Sequence, residues 1–443
     1  MDEGSPDWVA NDPARRTLLR SALGAALEAA DPEAAVLRAL GRSGSELAFQ
    51  GDVVDLGSIE RIFVVGFGKA SVAMARAVEA RLQDRPVEGL LVTDQDQPAS
   101  GRLAVRVAGH PISDGHSVQA AEELLRLVEK AGPADLVICL ISGGGSALIE
   151  APPAGVSLDD LVATNELLLR SGAPIGEVNT VRKHLSAVKG GRLAGAVAPA
   201  RLFTLVLSDV VGNELGAIAS GPTVSDPTTY ADALAVVDRW NLTEFVPTRI
   251  QEHLAAGAHG RLPETPKTPA TKQTIGIVAG GEQAAEATRS WAAGAGIRTR
   301  VVTTRLEGEA RKCAQWCLEH TDGDPDHRLL VFAGETTVKV IGAGKGGRNQ
   351  EAALAAAVEL AGRRDLVFMA CATDGVDGPT AAAGGVVDGE TLSRGGALGL
   401  DAEDHLARND SYPYLRAVGD QIVLGPTGTN VGDVWFVLRG HTG

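Results

Sequence analysis

The feature that most constrains the fold is a repeated unit in which an apolar strand runs into a glycine turn and then into a helix. In the first example, residues 61–71, the apolar run ends at Gly66, Gly68 and Lys69, and a helical pattern follows. In the second, residues 136–141 are apolar throughout and lead into another glycine-rich turn. Strands that are apolar on both sides are typical of a parallel sheet covered by helices. The sequence therefore predicts an α/β fold.

The length and composition favour two domains. A chain of 443 residues, 44% of them apolar, can bury more than one core. Residues 257–273 are rich in Gly, Pro, Thr and Lys and lack apolar periodicity, so we interpret them as a loop or linker. We expect an N-terminal domain at 1–256, with an opening helix in residues 13–40 packed on it, and a C-terminal domain at 274–443. A strand predicted at 274–279 either starts a second sheet or extends the first.

The charge and composition disfavour several classes of partner. A net charge of −15 argues against a nucleic-acid ligand, and with 4% aromatic residues the chain has few rings on which bases can stack. Residues 1–6 carry acids where a signal peptide needs bases, and no apolar run approaches the roughly 18 residues of a membrane span. The four cysteines fit no zinc spacing. We expect a cytoplasmic protein with a small-molecule substrate and with no nucleic-acid or membrane partner; homo-oligomerisation is left open.

The first glycine turn is a candidate anion site, because glycines let the backbone approach a ligand closely and Lys69 adds a positive charge at a helix N-terminus. It is not a Walker A loop, since Phe63 and Ala70 stand where that motif needs Gly and Ser or Thr. A dinucleotide fingerprint needs a third glycine where Ser71 stands, although Asp94 could imitate its ribose-binding acid. A structural turn with a solvated lysine is the alternative.

The second turn and the basic stretch after it are further candidates. Backbone amides and hydroxyls can form an anion site in the second turn, at Ser142, Gly143, Gly144 and Ser146. A flexible turn is the alternative. Residues 181–193 form the most basic stretch and contain no acid. If this stretch is helical, Arg182 and Lys189 share a face and, with Lys183 beside them, can bind a substrate anion. A solvated basic surface is the alternative.

Carboxylates follow predicted strand ends, where open α/β sheets bind ligands. Asp209, with Asn213 close by, follows a strand at 202–207 and could hold a metal or a substrate hydroxyl; a helix N-cap is the alternative. Asp374 and Asp377 lie in a glycine loop and could hold Mg²⁺ through oxygen ligands, or simply form a turn.

A third glycine turn, residues 342–347, opens an alanine-rich helix. Its Lys345 and the following Arg348 stand at the helix N-terminus, a combination suited to terminal phosphoryl oxygens. The chain thus has three glycine turns with cations or hydroxyls, carboxylates at strand ends and no evident covalent nucleophile. This inventory indicates phosphoryl transfer, in which positioning, Mg²⁺ and charge neutralisation supply most of the catalysis.

A set of short segments occurs in a fixed order over about residues 13–438. They are residues 66–70, 109–111, 142–146, 179–186, 189–192, 208–210, 220–223, 334–337, 345–351, 373–375 and 425–430. Together they resemble the class II glycerate 2-kinase family. One departure is at residues 280–283, where relatives often carry Asn near a helix start and this chain has Gly-Gly-Glu-Gln.

The resemblance implies a Rossmann-like N-terminal domain, a smaller C-terminal α/β domain and an active-site cleft between them. It implies an ATP-dependent, Mg²⁺-requiring kinase that phosphorylates the 2-hydroxyl of D-glycerate to give 2-phosphoglycerate. Lys69 and Arg348 match the family's active-site lysine and arginine, so we expect both to stabilise the transferring phosphoryl group. Asp209 or Asp374 would bind Mg²⁺ or orient the hydroxyl.

Other residues are expected to contact substrate or phosphate. They are Gly66, Gly68, Ser142, Gly143, Gly144, Ser146, Arg182, Lys183, Lys189, Asn213, Glu335, Lys345, Asn349 and Asn430. Two alternative functions stay open. An NAD(P)H-dependent hydroxypyruvate reductase would use the partial dinucleotide fingerprint, and a non-catalytic sensor of phosphorylated sugars would use the same anion sites without turnover.

Overall fold

The structure is a computed structural model that describes residues 13–97, 101–270 and 272–440. The prediction made for residues 1–6 lies outside this range. No helix in the described range is both long and apolar enough to cross a membrane.

Helices and strands alternate through most of the chain. The helices are α1 (Pro13–Ala30), α2 (Pro32–Ala39), α3 (Ser71–Arg81), α4 (Gly115–Val128), α5 (Gly145–Leu148), α6 (Leu158–Ser171), α7 (Ile175–His184), α8 (Arg192–Val197), α9 (Tyr230–Arg239), α10 (Thr248–Ala258), α11 (Gly281–Gly294), α12 (Ala310–Asp322), α13 (Arg348–Glu359), α14 (Thr391–Ala397), α15 (Ala402–Ala407) and α16 (Ser411–Val418). The strands are β1 (Leu40–Ser43), β2 (Glu46–Phe49), β3 (Asp52–Asp55), β4 (Ile62–Phe67), β5 (Glu88–Thr93), β6 (Ala104–Val107), β7 (Leu136–Ile141), β8 (Arg201–Leu207), β9 (Gln273–Ala279), β10 (Thr299–Glu309), β11 (Leu329–Thr337), β12 (Leu366–Ala372), β13 (Gly384–Asp388), β14 (Gln421–Ile422) and β15 (Asp433–Arg439).

The chain divides into two compact units. We call the described residues of 32–208 and 213–278 the N-unit, and those of 13–31, 209–212 and 279–440 the C-unit. Each unit contains a six-stranded sheet, and β1, β2 and β3 form a small third sheet. The predicted α/β class is confirmed.

The N-unit sheet has the order β6-β5-β4-β7-β8-β9. Neighbours from β6 to β8 are parallel, as predicted, and β4 and β7 are buried along their whole length. Phe67 pairs with Ile141 at the carboxyl ends of β4 and β7, so the two glycine turns that follow lie side by side. Gly66 lies within β4, where a side chain would come 2.9 Å from Leu91 Cδ2. Packing therefore requires glycine at position 66, because the neighbouring strands leave no room for a methyl group.

Hydrogen-bonded caps fix the helices next to these turns. Asp114 accepts from the Ser117 amide and begins α4, and Ser157 does the same with Asp160 at the start of α6. Such reciprocal caps satisfy amides that the first helical turn leaves without a partner. α6 ends at Gly172, which has φ 82°.

The structure decides between the two positions left open for β9 and corrects the expected position of α1. β9 extends the N-unit sheet and does not start the second one. The opening helix α1 packs within the C-unit, where buried Leu19 and Leu23 face α11 and the Thr288 hydroxyl donates to the Ala22 carbonyl at 3.3 Å. The expected position on the first domain is therefore wrong for α1, whereas α2, the second half of the predicted helix, lies in the N-unit.

The stretch interpreted as a linker, residues 257–273, is held against the N-unit; residue 271 lies outside the described range. Thr265 is buried, and its hydroxyl donates to buried Asp226 at 3.1 Å. The proposed domain boundaries, 1–256 and 274–443, stay a prediction.

The C-unit sheet has the order β10-β11-β15-β12-β13-β14. β10 and β11 are parallel, whereas the remaining neighbours are antiparallel. The first residue of β15, Asp433, pairs with Gly334 on one side and Ala372 on the other. Because β15 runs opposite to its two neighbours, its start lies beside their ends. This register places Asp433 next to the polar residues that follow β11 and β12.

Replacing Phe203 with Ala tests the N-unit core. Phe203 is buried in β8, and its ring lies 5.6 Å from that of Phe49. The truncation leaves a cavity, so we expect the free energy of unfolding, measured by urea titration, to fall by about 3–5 kcal/mol. Phe245→Ala is the matched control, because this ring is 67% exposed and should change stability by at most about 0.5 kcal/mol. Equal effects in the two variants would contradict the assigned core.

Candidate active site

The turn after β4 is closed against the turn after β7. Gly68 has φ 124°, and a side chain there would come 2.2 Å from Ser142 Oγ. Only glycine permits both the positive φ and the close approach. Ser142 is buried, and its hydroxyl oxygen accepts from the Ala70 amide at 3.0 Å.

The backbone donors of this first turn are already used. Each amide of residues 68–71 has a protein acceptor; in order these are the Val92 carbonyl, the Gly143 carbonyl, Ser142 Oγ and the Gly68 carbonyl, at 3.0–3.1 Å. These four amides cannot donate to a ligand without breaking existing bonds. The first turn therefore contributes the Lys69 side chain and not a backbone anion site.

The second turn differs from the first in that several of its amides are available to a ligand. In the described part of the chain, the amides of Gly143, Gly144 and Ser146 have no protein acceptor. They stand at the carboxyl end of β7, where α/β sheets bind ligands. The predicted anion site is therefore geometrically available here, and Gly144, with φ 83°, is left-handed.

Lys69 and His110 come together over Gly144. A side chain on Gly144 would lie 3.1 Å from His110 Nε2 and 3.6 Å from Lys69 Cε. Lys69 is exposed, so its ammonium group is open to a ligand. Partial burial and the nearby Lys69 charge lower the pKa of His110, whereas Asp94 opposes the shift.

A network of hydroxyls supports the second turn. Ser146 Oγ lies 3.0 Å from Ser220 Oγ, which in turn donates to Asn179 Oδ1 at 3.0 Å. Ser220 and the preceding Ala219 both have positive φ, 60° and 49°. Such strained backbone persists only where its surroundings fix it, and it clusters at functional sites.

The basic stretch does not form one helix, so the condition under which Arg182 and Lys189 would share a helical face is not met. α7 ends at His184 and α8 begins at Arg192, because Gly190 and Gly191 turn the chain with φ 58° and 83°.

Lys189 and Lys183 are used inside the N-unit. Lys189 is 1% exposed and donates to Glu150 Oε2 at 2.8 Å. Lys183 is also buried and pairs with Asp226 at 3.3 Å. A buried charge needs a partner of opposite sign, and these pairs supply it. Both lysines therefore have structural roles that the sequence pattern did not separate from binding.

Arg182 is the member of the basic stretch that reaches a cavity. A pocket of about 230 Å³ is lined by His110, Gly144, Ser146, Glu150, Asn165 and Arg182, among others. Arg182 Nε donates to Asn165 Oδ1 at 3.0 Å, which fixes the guanidinium direction. The pocket therefore brings a cation, a hydroxyl and backbone amides together. We call it the N-unit pocket.

A second cation stands in the C-unit. Arg348 begins α13 and donates to both carboxylate oxygens of Asp433, at 2.6 and 3.0 Å, while its Nη1 lies 3.1 Å from Glu335. Burial alone would lower the pKa of Arg348, but Asp433 and Glu335 raise it, so the group stays charged. Two carboxylates thus fix the planar guanidinium. Its side chain is 31% exposed, so it can still reach a ligand.

The N-terminus of α13 is not an open anion site. Buried Asp377 accepts from the amides of Asn349 and Gln350 at 3.1 and 2.8 Å. A carboxylate at this end satisfies the first amides and the helix dipole. Asp377 is thus a helix cap and not a metal-ligand candidate, and Asn349 is buried, with its side-chain amide donating to Asp433 at 2.9 Å.

The third glycine turn is closed by neighbouring residues. Gly344 lies against Arg408, where a side chain would come 2.5 Å from the carbonyl oxygen. The Gly344 amide donates to that carbonyl, and the Lys345 amide donates to Asp410 Oδ1 at 2.8 Å. The Lys345 ammonium lies 5.2 Å from the centre of the Tyr412 ring. Gly344 therefore serves packing, and the amides of Gly344 and Lys345 are already bonded within the protein.

Carboxylates gather around Arg348. Partial burial and the charges of Asp433, Asp209 and Asp374 raise the pKa of Glu335, against the effect of Arg348. Within the described residues, no three Asp, Glu, His or Cys side chains have the geometry of a metal site. Asp209 and Asp374 both act electrostatically on Glu335, so each carboxylate lies in its neighbourhood.

Two predicted polar contacts lie in turns of their own. Asn213 has φ 55° and ends a short 3₁₀ segment, Val211–Asn213. Asn430 is half-buried, and its Oδ1 accepts from the Gly432 amide at 3.0 Å.

Sequence reasoning missed several residues of these clusters. His110 and Ser220 stood inside segments that carry the resemblance, but no periodicity marked them. Asp433 preceded the final predicted strand, and only the sheet register shows that it meets Arg348. Glu150 gave no signal, because its partner Lys189 is 39 positions away in the chain.

The chain was compared with known proteins. Residues 18–255 match a family described as a domain of unknown function, DUF4147, and residues 328–433 match the MOFRL family. A glycerate 2-kinase from Pyrococcus horikoshii is 42% identical over 95% of this chain and 97% of its own length. A protein from Agrobacterium vitis, named provisionally as a hydroxypyruvate reductase, is 40% identical over 99% of this chain and 98% of its own length. The crystal structure of a glycerate kinase from Thermotoga maritima has a TM-score of 0.86 at 35% identity, covering 97% of this chain and all of that one.

Relatives of this similarity over nearly the whole chain share its fold and its family, and the match extends across both units. The chain belongs to the glycerate 2-kinase family.

Proposed function

We propose that this chain is an ATP-dependent kinase that transfers the γ-phosphoryl group to the 2-hydroxyl of D-glycerate, giving 2-phosphoglycerate. The observation that carries the proposal, beside family membership, is the N-unit pocket. It is lined by Arg182 and by Gly144 and Ser146, whose amides have no acceptor among the described residues, and Lys69 Cε lies 3.6 Å from the position of a side chain on Gly144.

The size and charge of the N-unit pocket suit a small acid. Its volume of about 230 Å³ is below the roughly 300–1,000 Å³ of pockets that hold drug-sized ligands. We assign the glycerate carboxylate to Arg182, whose guanidinium is aimed by Asn165. The amides of Gly143 and Gly144 would then donate to substrate or phosphoryl oxygens, in the manner of a backbone anion site.

Lys69 and Arg348 are assigned to the transferring phosphoryl group. In such a transfer negative charge spreads over the phosphoryl oxygens, and fixed cations stabilise it without rearranging. Asp433 and Glu335 hold Arg348 in one direction, which is the kind of preorganisation that this role requires. The Rossmann-like organisation implied by the resemblance belongs to this proposal.

Asp209 and Asp374 are the residues that would hold Mg²⁺. Their charges act together on Glu335, so the region is rich in oxygen donors. When bound, Mg²⁺ supplies charge neutralisation to the phosphates. Glu335, Lys345 and Asn430 are assigned to phosphate contacts in this proposal, whereas buried Asn349 would act by supporting Asp433. Location in the cytoplasm and homo-oligomerisation stay predictions.

The structure gives a physical argument against the reductase alternative. A dinucleotide-binding turn must donate its amides to a pyrophosphate. Here all four amides of residues 68–71 are bonded within the protein, and the hydroxyl of buried Ser71 donates to Val92. This turn therefore does not provide the dinucleotide-binding site that a reductase, the provisional name of one relative, would need.

The activity is tested by mixing the protein with ATP, Mg²⁺ and D-glycerate. We expect ADP release and 2-phosphoglycerate, identified by NMR of the phosphorylated carbon. Lys69→Ala should lower kcat/KM by about 10²–10³-fold, the usual effect of removing one charge-stabilising group. Lys130→Ala is the control, since Lys130 makes only an exposed ion pair with Glu88.

Oxidation of NADH with hydroxypyruvate, without ATP turnover, would support the reductase instead. Ligand binding without either reaction would support a sensor.

Arg348→Lys tests the C-unit cation. Lysine keeps the charge but loses the two directed bonds to Asp433, so we expect kcat to fall by about 10²-fold. Arg363→Lys is matched, because Arg363 is also 31% exposed and pairs with Asp322 and Asp365 in the same unit. It should leave kcat essentially unchanged. Similar losses in both variants would mean that only a broken ion pair is being measured.

A further inference from the structure

His110 is fixed at the wall of the N-unit pocket. It follows β6, and the loop that carries it is held by the Ala108 amide, which donates to the Thr93 carbonyl, and by the Gly109 amide, which donates to Asp114 Oδ1 at 3.1 Å. Asp114 also caps α4. The imidazole is therefore presented by a tied loop and not by a free one.

The ring nitrogens of His110 are open to a ligand. Within the described range, neither nitrogen has a protein hydrogen-bond partner, although the residue is half-buried. His110 Nε2 and Lys69 Cε both lie close to the position that a side chain on Gly144 would occupy, so the two side chains face the same part of the pocket. A small molecule bound to the second turn thus meets the imidazole and the ammonium group together.

The charges around His110 favour the neutral ring. Burial is the largest effect, and the positive charge of Lys69 adds to it; both lower the pKa of His110, while Asp94 works against them. The other charged groups on the pocket wall are Glu150, Glu166 and Arg182. A neutral imidazole at physiological pH can accept a proton.

The other polar groups in and beside the pocket are less suited to accept a proton. Glu150 is committed to Lys189, and Glu166 pairs with Arg170 at 3.3 Å. The hydroxyl of Ser146 is engaged with Ser220. Lys69 has no acceptor lone pair while it carries its charge.

We propose that His110 is the general base of the reaction. The 2-hydroxyl O–H bond breaks and its proton passes to a ring nitrogen of His110, as the oxygen forms a bond to the γ-phosphorus and the bond from that phosphorus to the ADP oxygen breaks. The imidazolium then returns its proton to solvent. This assignment rests on the proposed kinase activity and names the proton acceptor that the family resemblance did not supply.

The pH dependence of kcat/KM for D-glycerate tests the assignment. The wild-type rate should fall on the acid side, with a midpoint below about 6.5, because protonated His110 cannot accept the proton. His110→Gln should lower kcat/KM by about 10²–10⁴-fold and lose this contribution to the acid limb. His110→Ala is measured in parallel, so that the test can be made even if only one of the two variants folds.

His253→Gln is the matched control. His253 is another half-buried histidine of the N-unit whose pKa is lowered by burial, but it lines a different cavity and its Nε2 lies 3.2 Å from the His184 carbonyl. This variant should keep the wild-type rate and acid limb. An acid limb of unchanged midpoint and steepness in the His110 variants would overturn the inference. Absence of 2-phosphoglycerate from the wild-type reaction would instead overturn the proposed function itself.

Discussion

The N-unit depends on the close approach of two strand ends. Because β4 and β7 are parallel and in register, the turns that follow them must share one small space. Gly68 makes this possible, since any side chain would collide with Ser142. The resulting contact occupies the amides of the first turn, whereas in the second turn those of Gly143, Gly144 and Ser146 have no acceptor among the described residues. One steric constraint thus decides which glycine turn can bind an anion and aims Lys69 at it.

The C-unit is organised around a buried carboxylate. Asp433 is 1% exposed at the junction of β11, β12 and β15, where its charge must be compensated. Arg348 and Asn349 supply that compensation, and Asp377 caps the helix that carries them both. Binding energy is therefore not needed to orient Arg348. In the C-unit the cation is thus positioned by a carboxylate that is itself fixed by hydrogen bonds from Arg348 and Asn349.

Much of the framework could be predicted from the sequence, because apolar strands and glycine turns are local signals. The parallel sheet, the second glycine turn and the position of Lys69 after β4 follow from residues adjacent in the chain. The roles of Lys183, Lys189 and Asp377 could not be predicted, since each is decided by a partner far away in sequence. A glycine needed for packing, such as Gly344, also has the same sequence appearance as one that cradles a ligand.

Backbone amide exchange measured with and without D-glycerate tests the central claim most directly. The account predicts slower exchange of the amides of Gly143, Gly144 and Ser146 when D-glycerate binds, because these donors gain a partner. The amides at residues 68–71 should show no change, since they are already bonded within the protein. Protection at residues 68–71, with none at Gly143, Gly144 and Ser146, would contradict the account.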